Sequence, residues 1–373
     1  MQFDVCVLGG GVAGAAAALA ATERGARTCV VAGPPGATAL FAGAWRGSCP
    51  DGLQRALAAV GYELRPCDSP LPHSHGDLVV CSAAPPTHLA ARLAGNSIIV
   101  GIAGLPGFAA DILAKQWAAR ASTDLSAHTL TVDGTPAAGW APVSLAAHIE
   151  RSPEILIDPL RSLVQTHAAS GIVLPAVLGV HFDDALRTMI ANAIHAEVGE
   201  ALAVPPSLPG WRLHQALRRA LGAAGVSVLE GKGIATLKRD ARIREIELFN
   251  GDVIAAHAFV LATGKYAAGG IEVDGAFREP AFGCPVWVEH LDERFETVDS
   301  LILTDPVRTE DQPILRAGVH TNAEHRPVNA MQDVVYTNVA VAGSVRAGWT
   351  SATHGVGDAA SDGWSAGLSS VSS

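Results

Sequence analysis

The chain opens on short apolar runs separated by glycine turns. Residues 3–8 (FDVCVL) carry almost no polar position, the pattern of a parallel strand covered on both faces. A glycine-rich stretch, 9–14, leads into an alanine-rich helix to about Arg24, with Gly25 as its C-cap and a second apolar strand at 28–32. This is one βαβ unit. Helical spacing returns around 53–60, a strand is expected at 78–81, and 33–85 is otherwise rich in Pro, Gly and small residues.

From Pro86 the glycine-turn pattern lapses. "SIIVGIAG" reads as a buried strand, "GFAADILAKQWAARA" as a helix with Trp117 on its apolar face, and the apolar stretch "GIVLPAVLG" follows. "FDDALRTMIANAIHAEVG" reads as a further helix. "WRLHQALRRALGAAGVSVLEGKGIATLKRD" then reads as helix, glycine turn and strand. Alternating strands follow, joined by the hairpin dipeptide Asn250-Gly251, and end in a buried strand at 258–262. "NVAVAGSVRAGW" repeats strand and glycine turn, and "SDGWSAGLSS" opens a terminal helix.

The expected division is a nucleotide-binding domain at 1–85, 206–270 and 331–373, an inserted lobe at 86–205, and that lobe's continuation at 271–330. The fold class is α/β: a two-lobed FAD/NAD(P)-binding type, Rossmann-like with an inserted second lobe.

Composition narrows the function classes. With 373 residues, 17% of them charged, the chain has ample core and is no disordered segment. A net charge of −10 argues against nucleic acid as a partner. The six cysteines form no CxxC and no iron–sulfur spacing, so they read as reduced thiols of a cytosolic protein. The apolar stretch 5–21 lacks a basic leader and carries a triple glycine, so it does not read as a secretion signal. The apolar stretch 96–113 contains Gly and Pro and is too short to cross a bilayer, so no transmembrane segment is expected.

Gly9, Gly10, Gly11, Ala13 and Gly14 lie in a GxGxxG pattern between strand and helix, where backbone N–H groups and a helix N-terminus hold a phosphate. The strand that follows ends on Val31, Ala32 and Gly33, with no carboxylate to grip an adenosine ribose. "VLATG" at 260–264 and "NVAVAGS" at 338–344 add two further strand-end turns, a combination typical of two-domain flavoproteins. Thr263, Gly264, Gly343 and Ser344 are therefore candidate cofactor contacts, with Gly363 and Trp364 on the terminal helix. In such proteins the last turn carries an acid; Ser344 stands in its place, so the ribityl chain must be anchored differently.

The segments at 3–19, 99–114, 203–221, 259–286, 318–327 and 338–349 together resemble the B subunit of anaerobic glycerol-3-phosphate dehydrogenase. "PSLPG" and "GAFREP" are the most specific of these pieces. The resemblance implies FMN as a non-covalent cofactor, with FAD the second choice. It implies two partners, an FAD-containing catalytic A subunit and an iron–sulfur, membrane-anchoring C subunit. It implies oxidation of sn-glycerol 3-phosphate to dihydroxyacetone phosphate with electrons passed to quinone, by a cytoplasmic chain held peripherally on the inner face of the cell membrane. The missing adenosine carboxylate agrees with FMN, which has no adenosine. The alternatives are a stand-alone flavin oxidoreductase of another small hydroxy acid or amine, and a scaffold protein of the complex without flavin.

Arg346, whose loop leaves the final strand, is the leading candidate to act on the flavin. Lys265 after "ATG" is weaker, because a solvated loop explains it equally well, and Arg278 in "FREP" weaker still, because an ordinary salt bridge explains it more simply. Arg326 shares that ambiguity. His320 and His354 are conceivable proton carriers that read more simply as structural. His73 and His75 lack an evident third metal ligand, and Trp117, Trp211 and Leu217 read as core.

Overall fold

The computed structural model describes residues 1–93, 96–205, 207–274, 276–288, 312–351 and 353–371. They divide into two compact units, one of residues 1–38, 47–60 and 217–373, the other of residues 39–46 and 61–216.

In the first unit the opening βαβ forms as the pattern predicts, with β1 at Gln2–Leu8, α1 at Val12–Glu23 and β2 at Thr28–Ala32. Ser227–Glu230 pairs with β2 and Val253–Leu261 with β1, and Val339–Val341 lies along the C-terminal half of Val253–Leu261, all parallel. Counted along the chain, the five parallel strands stand in the order 3-2-1-4-5, the dinucleotide-fold order. An antiparallel extension, Gly233–Arg239 and Arg242–Leu248, joins through the Asn250-Gly251 hairpin. There Asn250 Oδ1 accepts from the Asp252 N–H at 3.0 Å.

Strand Val253–Leu261 changes partner midway, which leaves backbone groups to satisfy. Buried Asn338 fills that split: its Oδ1 accepts from the Ile243 N–H at 3.0 Å, and its Nδ2 donates to the Ile243 and His257 carbonyls at 2.8 and 2.9 Å. An amide side chain suits the place because it offers donor and acceptor together.

Helix α1 is buried from Val12 to Ala21, so it is apolar on every side. Its alanines let the terminal helix, Val356–Val371, approach to backbone contact. A Cβ at Gly363 would stand 2.1 Å from the Ala13 carbonyl oxygen, and one at Gly367 would stand 2.2 Å from that of Ala17. Only glycine fits at either position.

The second unit holds its own four-stranded parallel sheet, ordered Glu197–Glu200, Gly171–Leu174, Ser97–Ile102 and Ser126–Leu130. Of these, Ser97–Ile102 is the strand read from the sequence. Glu197–Glu200 differs from its expectation as helix: helix Ala185–Ile194 stops at His195, whose φ of +57° turns the chain back.

The domain boundaries also differ. Residues 61–85 fall in the second unit, because Leu71, Cys81 and Ala84 pack with Leu202 into one apolar cluster. The strand expected at 78–81 is only Leu78–Val79, paired with Leu71–Pro72. The described residues of 271–330 belong to the first unit, where Phe277, Phe282, Val286 and Val319 share a core with Phe259 and Val339. The rest of that segment, 289–311 with Gly275, lies outside the described residues, as does Pro206.

At the end of strand Glu197–Glu200 lies a buried ion pair. Arg212 meets both oxygens of Glu200, at 2.5 and 3.0 Å, and donates to the Gly179 carbonyl. Burial works to raise the Glu200 carboxyl, but Arg212 and the Leu178 N–H more than offset this and hold it below the usual range. His88 Nδ1 donates to the Glu200 carbonyl at 2.9 Å, and burial pushes the ring's pKa down.

This packing has measurable consequences. Gly363→Ala lowers the stability of the first unit by about 1–3 kcal/mol, read from urea unfolding, because the added methyl meets backbone that has no room to yield. Because burial lowers the His88 pKa in the fold, the unfolded chain binds more protons than the folded one as pH falls through about 6.5. Stability of the second unit therefore falls as pH drops through that range, and His88→Asn flattens this part of the profile of unfolding midpoint against pH.

Candidate functional site

Four turns of the first unit converge at the C-terminal ends of its parallel strands. The first is 9–14. Gly9 has φ +113°, and a Cβ there would lie 2.2 Å from the Ala262 carbonyl oxygen. One at Gly14 would lie 1.8 Å from the Gly9 carbonyl oxygen, so α1 starts directly against the turn. Gly10 faces Ala32 across the neighbouring strand end, and Gly11 is the N-cap of α1 with no side-chain cap of its own. Thr38 Oγ1 accepts from the Val12 N–H at 3.2 Å, satisfying one donor of the first helical turn. The other first-turn donors have no partner within the helix and suit an anion.

The second turn is Thr263-Gly264. Thr263 Oγ1 is buried with no hydrogen-bond partner among the described residues, a polar atom left over beside the glycine turn. The third turn, Gly343–Val345, meets the other two: a Cβ at Gly343 would lie 2.7 Å from Ala13 Cβ, and one at Gly264 would lie 3.7 Å from Ser344 Oγ. The fourth is 36–38, where Gly36 packs against Ala268. Glycine cradle, unfilled helix donors and an orphaned hydroxyl together fit the phosphate end of a nucleotide cofactor.

No acid stands at the end of β2. Ala32 pairs in register with Glu230, whose carboxylate accepts from Arg218 at 2.5 Å, and the Ala32 carbonyl takes the Gly231 N–H.

The sequence candidates fare differently. Gly9, Gly10, Gly11, Ala13, Gly14, Thr263, Gly264, Gly343 and Ser344 come together at these turns. Gly363 packs on Ala13 from below, and Trp364 turns away to Gly52, where a Cβ would meet its ring at 2.1 Å. The Lys265 ammonium donates to the carbonyls of Leu315 and Trp349, the latter at 2.6 Å, tying two loops together. Arg278 is exposed and lies 3.6 Å from Asp274, an ordinary surface pair. Its neighbour Glu279 does the buried work: it accepts from the N–H groups of Ala281, Phe282 and Cys284 at 2.7, 2.9 and 3.1 Å. Burial outweighs those bonds and raises its pKa.

Arg346 does not stand as a free cation. Its Nη1 donates to Asp362 Oδ1, and Asp362 Oδ2 accepts from the Gly343 N–H at 2.6 Å. Asp362, at the inner end of "SDGW", thus brings to the last turn the carboxylate that Ser344 lacks, from the terminal helix. The available signal was its position next to Gly363, which must face α1. His325 lies 3.6 Å from the same carboxylate; burial lowers its pKa, and Arg346 adds to the lowering.

The remaining candidates are structural in their contacts. His354 stacks on Trp349 with ring centroids 4.4 Å apart, His320 contacts Gln332, and Arg326 donates to the Ser369 carbonyl. His73 accepts from the His75 N–H through Nδ1 and belongs to the second unit.

No protein-family model matches the chain. It is similar along its whole length to a protein of Halobacterium salinarum named as a probable B subunit of anaerobic glycerol-3-phosphate dehydrogenase, at 29% identity, covering 100% of this chain and 98% of the relative. The B subunit of the same enzyme from Actinobacillus succinogenes is 25% identical over 96% of this chain and 95% of its own. That of Glaesserella parasuis is 32% identical over 42% of this chain and 37% of its own. Relatives spanning the chain thus carry the name of the family its motifs resemble. Among solved structures, it is similar to a 3-ketosteroid delta1-dehydrogenase of Sterolibacterium denitrificans at 11% identity and TM-score 0.43, covering 100% of this chain and 99% of that one. It is also similar to a flavocytochrome c3 fumarate reductase at 13% identity and TM-score 0.40, covering 100% of this chain and 78% of that one.

Proposed function

We propose that this chain is the flavin-binding B subunit of an anaerobic glycerol-3-phosphate dehydrogenase, with FMN at the 9–14 turn. In this reading the complex oxidises sn-glycerol 3-phosphate to dihydroxyacetone phosphate and passes electrons to quinone. Its partners are an FAD-containing A subunit and an iron–sulfur, membrane-anchoring C subunit. The observation that carries the reading is the end-to-end similarity to proteins of that name, joined to the glycine cradle at 9–14 of this chain.

When bound, the isoalloxazine supplies a two-electron acceptor that can hand electrons on. The chain's own residues hold it. The N–H groups at the start of α1 take the phosphate, and the helix N-terminus favours its negative charge. Thr263 Oγ1 offers the cofactor a hydroxyl that no described protein group uses. Lys265 pins the Leu315 and Trp349 loops. The absent acid at Ala32 favours FMN over FAD, since only FAD presents an adenosine ribose there. Among the described residues no helix is long and apolar enough to cross a membrane, so attachment through partners suits the chain.

Purified chain should be yellow, and acid release should yield FMN. Colourless protein that takes up no added flavin would overturn the reading in favour of a scaffold, and released FAD would overturn the FMN assignment. Gly11→Glu tests the cradle: its φ of −76° accepts a side chain, whose Cβ would stand 3.2 Å from Thr38 Oγ1 and bring a carboxylate to the same turn as the phosphate. Like charges in contact cost several kcal/mol, so FMN affinity should fall by about a hundredfold or more with the urea midpoint little changed.

A further inference from the structure

Among the described residues, Asp362 is tied to two groups of the last turn and faces one further titratable group, His325. Its Oδ2 accepts from the Gly343 N–H, and its Oδ1 takes the Arg346 guanidinium. The carboxylate is nearly buried at 11% exposure, and Arg346 is 30% exposed. The turn they hold lies against Ala13 at the start of the phosphate-binding helix and beside Gly264. The Gly363 contact with Ala13 fixes the next residue of the same helix, so Asp362 has little freedom to leave.

We propose that Asp362 is a positioning residue that holds Arg346 and the Gly343 turn as an electrically neutral unit beside the flavin, and so sets the flavin's reduction potential. This rests on the reading of the chain as a flavoprotein. A free Arg346 would favour the reduced, more negative flavin and lift the potential; paired with Asp362 it contributes no net charge. Removing one partner exposes the charge of the other in a partly buried site, where it is poorly screened.

The charges give the pair a sign pattern that a merely structural role does not produce. Asp362→Asn keeps an acceptor for the Gly343 N–H, leaves Arg346 uncompensated and moves the potential up. Arg346→Gln leaves Asp362 uncompensated and moves it down. The double variant restores neutrality and returns toward the wild-type value. His325 faces the same carboxylate and Arg326 is the other cation near its ring. Loss of Arg346 lets His325 take a proton more readily, so the potentials are measured at about pH 8.5, where the imidazole stays neutral.

The experiment is spectroelectrochemical titration of the flavin-loaded wild type and the three variants, with urea unfolding of each chain without flavin alongside. Opposite shifts in the two single variants, cancelling in the double, are expected. Shifts of the same sign, or none, in chains that hold flavin would overturn this inference and leave the flavoprotein reading intact. A wild type that takes up no flavin would overturn both. Should Asp362→Asn fail to fold, Arg346→Gln decides alone: a downward shift supports the inference, and an unchanged or raised potential overturns it.

Discussion

The contact between α1 and the terminal helix is the constraint on which the candidate site depends. Two glycines one helical turn apart, Gly363 and Gly367, let the last helix lie on the carbonyl oxygens of Ala13 and Ala17. The helix whose N-terminal donors are unfilled at the candidate site is thereby clamped to the last described segment of the chain. The clamp also delivers Asp362 to the turn at Gly343. Burial of α1 on all sides stabilises this arrangement through many small contacts, but it is the missing Cβ atoms that set the distance. A helix of ordinary residues there would sit further out and leave Asp362 short of the turn.

The same turn shows how an expected charge can arrive from an unexpected place. Two-domain flavoproteins carry an acid just past the last strand, and Ser344 occupies that position here. The carboxylate comes instead from Asp362 and serves the backbone of Gly343 before it serves any ligand. Arg346, the sequence's leading candidate to act on the flavin, is held in that pair. At the other end of the site nothing among the described residues replaces the acid missing from β2: Glu230, its neighbour in register, is engaged with Arg218. One acid comes from elsewhere in the fold, and among the described residues none stands at the end of β2; that asymmetry is what the FMN proposal rests on.

The strands and turns of the nucleotide fold were legible because their signals are local. Apolar runs at 3–8, 28–32 and 258–262, the 9–14 glycines and Asn250-Gly251 each carry their conformation in a few residues. The contacts of Asp362, Glu279 and Asn338 were not, because each serves backbone groups brought near only by the tertiary fold. "FREP" drew attention to Arg278 because arginine beside proline suggests a fixed cation, whereas the neighbouring glutamate is the residue the fold buries. The second lobe was legible least. Its strands Ser126–Leu130 and Glu197–Glu200 contain His, Thr and Glu rather than long apolar runs, and a short run of that kind is helix or strand according to what it packs against.

The two units carry their buried charge to different ends. Glu200 and Arg212 in the second unit are almost wholly enclosed, and their hydrogen bonds end on one another and on backbone at Leu178 and Gly179. Such a pair fixes geometry and is costly to break, and its two charges act in opposite senses on the neighbouring His88. Asp362 and Arg346 are less buried and stand at a turn beside the phosphate cradle. Their neutrality is therefore of consequence outside the pair, and a change in either one alters the field at the site without dismantling the sheet beneath it. The first pair is suited to holding a lobe together, the second to tuning what binds beside it.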